Sequence, residues 1–280
     1  MTHDAIQISG LKKSFDDFSL GPIDLDIPRG VIVGYIGQNG SGKSTTIKLI
    51  LDLLKRDQGE IRVFGEEVVD HPQIKDKIGV VFDDLYLPGE LRIGDVNRFC
   101  QGVYSKWQTD YFNKLVDTFD LPENRLIKDY SRGMKMKLGV AIALSHEAEL
   151  LILDEATSGL DPIVREEILD LLLEYMQSED HTILISSHIL SDLEKVADYI
   201  AFIHQGKLLF MEEKNKLEED YGICSLSEEE LGEIDPQAIV GKRSHAFGEE
   251  VLVLRDRVPK NIDLKRPSIE DIMIYYVRGE

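Results

Sequence analysis

The chain has 280 residues, 42% of them hydrophobic and 30% charged, which suits one large globular domain, or a core domain with a small appendage, and excludes wholesale disorder. Its 52 acidic residues against 32 basic ones give a formal charge of -20, the wrong sign for neutralising phosphate backbones, so no nucleic-acid partner is expected. Cys100 and Cys224 stand too far apart for a metal motif and fit a reducing compartment, the opening MTHDAIQISG lacks a leader pattern, and no apolar run reaches the roughly 18 residues that a membrane helix needs.

The chain opens on short apolar segments. Ile6–Leu11, Ile23–Ile27 and Val31–Ile36 are predicted strands, with Pro28-Arg29-Gly30 as a turn, and Thr45–Leu54 has helical spacing. Val80–Phe82, Leu150–Leu153, Thr182–Ser186 and Tyr199–His204 are apolar runs of the kind buried in a mostly parallel sheet. Between about Arg92 and Glu147 the pattern is helical, which predicts a helical insert in an α/β core. Asp161-Pro162 reads as an N-cap followed by proline at the first helical position, opening a helix to about Gln177. Ser191-Asp-Leu-Glu194 has capping-box spacing for another helix. After Gly206 the texture changes: Glu212–Asp220 is highly charged, Leu226–Glu233 is acidic, Val251–Leu254 is a candidate strand, and Ser268-Ile-Glu-Asp271 caps a last helix ending near Arg278. The expected division is a core over residues 1–215, with a helical subdomain at about 88–148, and a small α+β extension over 216–280.

Gly37-Gln-Asn39-Gly40-Ser41-Gly42-Lys43-Ser44 matches the pattern G-x-x-x-x-G-K-[ST] between a predicted strand and a predicted helix. Glycines let the backbone approach phosphate oxygens, and the following helix adds its positive end. Lys43 would reach the β- and γ-phosphates, and the Ser44 hydroxyl would bind Mg²⁺. A chain of this length meets the pattern by accident on the order of once per hundred, and the strand-loop-helix context makes accident rarer still.

Leu150-Leu-Ile-Leu-Asp154-Glu155 is an apolar strand ending in two carboxylates, where Asp154 can hold Mg²⁺ and Glu155 can polarise an attacking water. A strand ending in solvated acids would look the same in isolation. Here Ser158-Gly-Leu-Asp161 follows at once, and Ser186-Ser-His188 ends the next strand, placing an imidazole where it can donate to the γ-phosphate and help order that water.

In this order and spacing, over about residues 5–211, these elements resemble the ABC ATPase family. The resemblance implies an α/β P-loop NTPase fold, ATP and Mg²⁺ as ligands, and ATP hydrolysis. It makes Gly37–Thr45 the Walker A loop and helix start, Asp154-Glu155 the Walker B carboxylates, Ser158–Asp161 the D-loop and His188 the switch histidine. Tyr130-Ser131-Arg132-Gly133-Met134 corresponds to the signature motif, with Ser131 capping a helix whose end faces the ATP of a second subunit, so two ATPase subunits close each site. Phe15 matches the adenine-stacking aromatic, although a core phenylalanine would read the same, and Asp83 occupies the Q-loop position that contacts Mg²⁺ or its water. Two departures stand out: Arg132 and Met134 replace the usual Gly and Gln, and Asp83 is shorter than Gln and charged.

Within the family, the compact opening, the acidic Q-loop and the ending Ser-Ile-Glu-Asp-Ile-Met-Ile-Tyr-Tyr are similar to ABC-2 type export ATPases linked to antimicrobial peptide and drug export. The expectation is an ATPase subunit on the cytoplasmic face of the cell membrane, driving a separately encoded membrane permease as a homo- or heterodimer. Two further readings are a soluble ABC ATPase acting on nucleic acid or ribosomes, which the single P-loop and the acidity disfavour, and the ATPase of a nutrient importer. The tail beyond Lys216 is expected to contact the partner ATPase subunit, regulate ATP access or cover the core.

Overall fold

The computed structural model describes residues 4–245, 248–260 and 262–278, so the first three residues of the opening segment and the last two of the chain lie outside it. β1 (Ile6–Ser14) and β2 (Ser19–Ile27) pair antiparallel with Ile6 opposite Ile27. Along β2 the apolar residues alternate inwards, the period that a half-buried sheet imposes. β3 (Ile32–Ile36) is buried at all five positions and starts the central sheet, and α1 (Lys43–Ile50) leaves its carboxyl end. β4 (Gln58–Val63) and β5 (Glu66–Glu67) return to the first sheet, giving the order β2-β1-β4-β5.

α1 ends four residues before the expected Leu54. Asp52 adopts a left-handed φ of 54°, Leu53 N donates to Lys48 O at 2.8 Å and Asp52 N to Leu49 O at 3.1 Å. This is a Schellman closure made with aspartate where glycine is usual, and helical periodicity alone does not reveal it.

β6 (Ile78–Val81) enters the central sheet, and the predicted helical insert follows as α2 (Ile93–Val103), α3 (Thr109–Thr118) and α4 (Arg132–Leu144). Phe112, Leu115, Met136 and Leu138 bury the insert against the main core. Next come β7 (Leu150–Asp154), α5 (Pro162–Tyr175), β8 (Thr182–Ser187), α6 (Leu190–Val196), β9 (Tyr199–His204) and β10 (Lys207–Glu213). The central order is β10-β9-β3-β8-β7-β6, parallel apart from the antiparallel β10. The buried apolar runs are therefore parallel strands as expected.

Asp161 caps α5 as its sequence predicts, accepting from Ile163 N and Val164 N at 3.1 Å each. The capping box expected at Ser191–Glu194 does not form: α6 already begins at Leu190, and the loop before it is held by Ser187, whose Oγ accepts from Ile189 N at 2.9 Å. Starting earlier puts Asp192 in the first turn, where it is 2% exposed.

The last segment holds α7 (Lys214–Asp220), β11 (Tyr221–Leu226), α8 (Glu228–Glu233), β12 (Ile239–His245), β13 (Gly248–Leu254) and α9 (Ile269–Arg278). Its antiparallel sheet, β11-β13-β12, includes the expected strand at Val251–Leu254 and two others that the charged texture hides. One set of its side chains, Cys224, Leu226, Val251 and Val253 among them, forms a small core. Ile223 and Leu252 instead join Ile269, Ile272 and Tyr275 in the main core. α9 opens on the predicted Ser268–Asp271 box and lays Tyr276 on Phe210, ring centroids 5.1 Å apart.

Candidate functional site

β3, β7 and β8 are neighbours, so Gly37, Glu155 and His188 all emerge just past the carboxyl edge of one parallel sheet, the usual position of a ligand site in such folds. The loop after β3 can run there because Gly37 has no side chain: a Cβ would stand 2.3 Å from Ile203 O and 2.5 Å from Ser41 Oγ. Gly42 holds φ at 114°, a left-handed conformation that turns the loop directly into α1. Ser41 is 4% exposed; its N donates to Gln38 O at 3.1 Å, its O accepts from Gly206 N at 2.9 Å, and its buried Oγ has no hydrogen-bond partner among the described residues.

Lys43, the first residue of α1, is 5% exposed; its Nζ donates to Gly37 O at 2.8 Å and stands 3.3 Å from Glu155 Oε1. Asp154 closes β7 and is nearly buried, with Oδ1 accepting from Ser186 Oγ at 2.6 Å and from Ser44 Oγ at 3.1 Å. Glu155 takes φ of 54°, strained for a residue with a side chain, and so leaves the strand direction. Its amide is anchored to Ser186 O and Ser186 Oγ, both at 3.1 Å. Its carboxylate is thereby held between Lys43 and His188, whose Nδ1 lies 2.5 Å from Oε2.

A cavity of about 530 Å³ collects most of the expected residues: Asn39, Gly40, Gly42, Lys43, Ser44, Thr45, Asp83, Glu155 and His188 line it, together with Arg132. Gly37, Ser41 and Asp154 support it from beneath. Ser131 caps α4 by accepting from Met134 N at 3.2 Å, and Gly133 packs near Val164 of α5; Ser131, Gly133, Met134 and Asp161 stand outside the cavity. Phe15 is 43% exposed and does not line it, whereas Phe18, 6.1 Å away between ring centroids, does.

Three contributors escaped the sequence reading. Phe18 carried only the general signal of a second aromatic three residues on. Ser186 lies next to the end of β8, opposite Asp154 of β7, and its position there was the sole available hint. Arg165 donates to Leu160 O at 3.2 Å and approaches Asp192 at 3.8 Å, tying the segment after Glu155 to the helix after His188. The assembled chemistry is a cradle of backbone amides with one buried ammonium, a hydroxyl–carboxylate pair, and a carboxylate–imidazole pair beside them. Such a set binds a polyphosphate, holds a hard cation and orients a water.

The family model for ABC transporters matches residues 20–158. The bacitracin transport ATP-binding protein BcrA of Bacillus licheniformis is 36% identical over 212 residues, 74% of this chain and 67% of that protein. The lantibiotic transport ATP-binding protein SrtF of Streptococcus pyogenes is 38% identical over 213 residues, 74% of this chain and 90% of that protein. A solved ATP-binding subunit of an ABC transporter superposes with a TM-score of 0.71 at 26% identity, over 77% of this chain and 92% of that one.

Proposed function

We propose a working cycle from the premise that this chain belongs to the ABC transporter family, as an ATP-binding and ATP-hydrolysing subunit of such a transporter. ATP lies with its phosphates among the amides of Gly37–Thr45 at the start of α1, with Lys43 on the β- and γ-phosphates and Phe18 or the neighbouring Phe15 against the adenine. Ser44 and Asp154 would hold Mg²⁺, with Asp83 on the wall of the same cavity. Their oxygens, 3.1 Å apart, are hard donors that fit this ion. When bound, the ion neutralises charge on the β- and γ-phosphates.

Glu155 orients a water towards the γ-phosphorus. The new P–O bond forms as the bond to the β-phosphate oxygen breaks, and the water's proton moves towards the Glu155 carboxylate. His188 fixes that carboxylate. The observation carrying this reading is the placement of Glu155 between Lys43 and His188, beside the phosphate loop. Ser131, Gly133, Met134 and Asp161, outside this chain's cavity, serve the facing site when two ATPase subunits sandwich two nucleotides.

The sandwich drives a separately encoded membrane permease at the cytoplasmic face of the cell membrane. Among the described residues no helix is long and apolar enough to cross a membrane. An apolar groove of about 580 Å³, which includes Leu51, Leu53, Phe82 and Val103 in its lining, is the surface offered to that partner, with Leu53 62% and Val103 56% exposed. The relatives' bacitracin and lantibiotic transport supports export of a peptide, drug or lipid-like cargo. The test is Glu155→Gln: turnover should fall at least about 100-fold while ATP binding persists and sedimentation detects a stabilised nucleotide-bound dimer. Unchanged hydrolysis sinks the assignment.

A further inference from the structure

Two buried side-chain atoms, Arg165 Nε and Asp192 Oδ2, have no hydrogen-bond partner among the described residues and stand 3.8 Å apart. Neither residue lines the phosphate-loop cavity. Asp192 is almost wholly buried, and Arg165 is its ion-pair partner. At that distance the pair is charge against charge without a hydrogen bond, and a buried carboxylate depends on such a partner. The same guanidinium donates from Nη2 to Leu160 O at 3.2 Å. Because a guanidinium is planar and rigid, its two nitrogens fix the separation between Leu160 O and Asp192 Oδ2.

Each end of this fork leads to one half of the Glu155–His188 pair. Leu160 comes five residues after Glu155, in a turn where Ser158 N donates to Glu155 O at 3.1 Å. Asp192 lies in the first turn of α6, four residues after His188, and its amide donates to Ile189 O at 3.2 Å. The His188 side chain is half exposed, so its contact with Glu155 depends on how the backbone of each residue is held. A second ion pair, Lys195 with Glu166 at 2.6 Å, joins the same two helices, but both its side chains are exposed and solvent weakens it.

We propose that Arg165 and Asp192 are a positioning pair for hydrolysis: the Arg165 fork locks the turn after Glu155 to the helix after His188 and so keeps the imidazole on the carboxylate. This rests on the reading above, in which Glu155 and His188 serve hydrolysis. Pulling Leu160 away would draw the guanidinium off Asp192 and strand a buried charge, so the two ends move together. Nucleotide affinity does not depend on the pair, since neither side chain reaches the cavity.

The test is steady-state ATPase of the full chain, with kcat and KM read separately, beside thermal melting and amide hydrogen exchange. Arg165→Met strands the Asp192 charge and should lower the melting temperature by about 5 °C or more, with kcat down about 10- to 100-fold. Adding Asp192→Asn removes that charge. It should recover most of the melting temperature, while kcat stays low and KM for ATP stays within about threefold. A pair that only stabilises the fold would recover both, and that result overturns the proposal. Arg165→Lys keeps a charge opposite Asp192 without the fork, and should melt within about 2 °C of the unaltered chain with kcat still about tenfold down. Lys195→Ala, which cuts the exposed pair, should leave kcat within about twofold. Full turnover in Arg165→Lys, or an equal loss in Lys195→Ala, also refutes the assignment. In the double variant, amide exchange should quicken at residues 158–161 and 188–190, and unchanged exchange there overturns the pairing whatever the turnover. If the unaltered chain hydrolyses no ATP, the hydrolysis reading falls, and the exchange pattern still decides whether the fork holds those two segments.

Discussion

Ser186→Ala removes one oxygen from the most densely bonded point of the site. Ser186 is fully buried, and its hydroxyl donates to Asp154 Oδ1 at 2.6 Å while accepting from Glu155 N at 3.1 Å. The alanine variant leaves the Glu155 amide its second acceptor, Ser186 O at 3.1 Å. Asp154, 5% exposed, keeps only the longer 3.1 Å bond from Ser44 on that oxygen. Losing a hydrogen bond to a buried charge costs about 1.5–3 kcal/mol, so about 2 kcal/mol of stability should disappear. Urea unfolding without nucleotide, followed by circular dichroism, measures it. With Asp154 already changed to alanine there is no carboxylate to strand, and the same serine substitution should cost under about 0.5 kcal/mol. ATPase turnover of Ser186→Ala should fall about tenfold, because Asp154 and the Glu155 turn lose a shared support. An unchanged unfolding midpoint, or an equal cost in both backgrounds, refutes the claim that Ser186 acts through Asp154.

Two glycines of one loop should behave differently. Gly37→Ala sets a Cβ 2.3 Å from the carbonyl of Ile203, on a strand that cannot give way, and should cost about 3 kcal/mol or more together with most nucleotide affinity. Gly40→Ala meets open space and pays only for φ of 79°, about 1 kcal/mol, so paired melting curves separate them. His146, stacked on Tyr104 with ring centroids 4.0 Å apart, has Nδ1 3.2 Å from Ile142 O and Nε2 3.3 Å from Ile78 O. Burial lowers its pKa from 6.5, outweighing the hydrogen bonds to those carbonyls and the nearby Asp76, which raise it. The unfolded chain then binds the proton first. Its contribution is present in full above about pH 6.5 and is lost as pH falls from there through the lowered folded value, at up to about 1.4 kcal/mol per unit. Urea titrations at several pH values should show that slope flattened in His146→Gln.

The features legible in the sequence are those made by contiguous backbone. Gly37–Ser44 is readable because phosphate binding needs particular residues at fixed steps along one loop, and Ile32–Ile36 and Leu150–Asp154 are readable because a doubly covered parallel strand must be apolar throughout. Asp161 and Ser268 announced their helices through caps, since a cap is local chemistry. Ser191 gave the same local signal and failed, because the Ser187 turn and the burial of Asp192 start α6 earlier. β11 and β12 stayed hidden because each gains its neighbour only through β13, and the charged and acidic residues around them carry no period-two pattern of their own.

The tertiary structure alone decided which side chains meet. Ser44 and Asp154 are 110 positions apart, and Glu155 and His188 are 33 apart. Their contact depends on the strand order β3-β8-β7 and on the left-handed turn at Glu155. Phe18 rather than Phe15 faces the cavity, and Arg132 leans on Gly159 of its own chain. Residue types and local spacing determine what chemistry a segment can offer. The direction each side chain takes, and the neighbour that waits there, are set by packing across the sheet, which no single stretch of sequence contains.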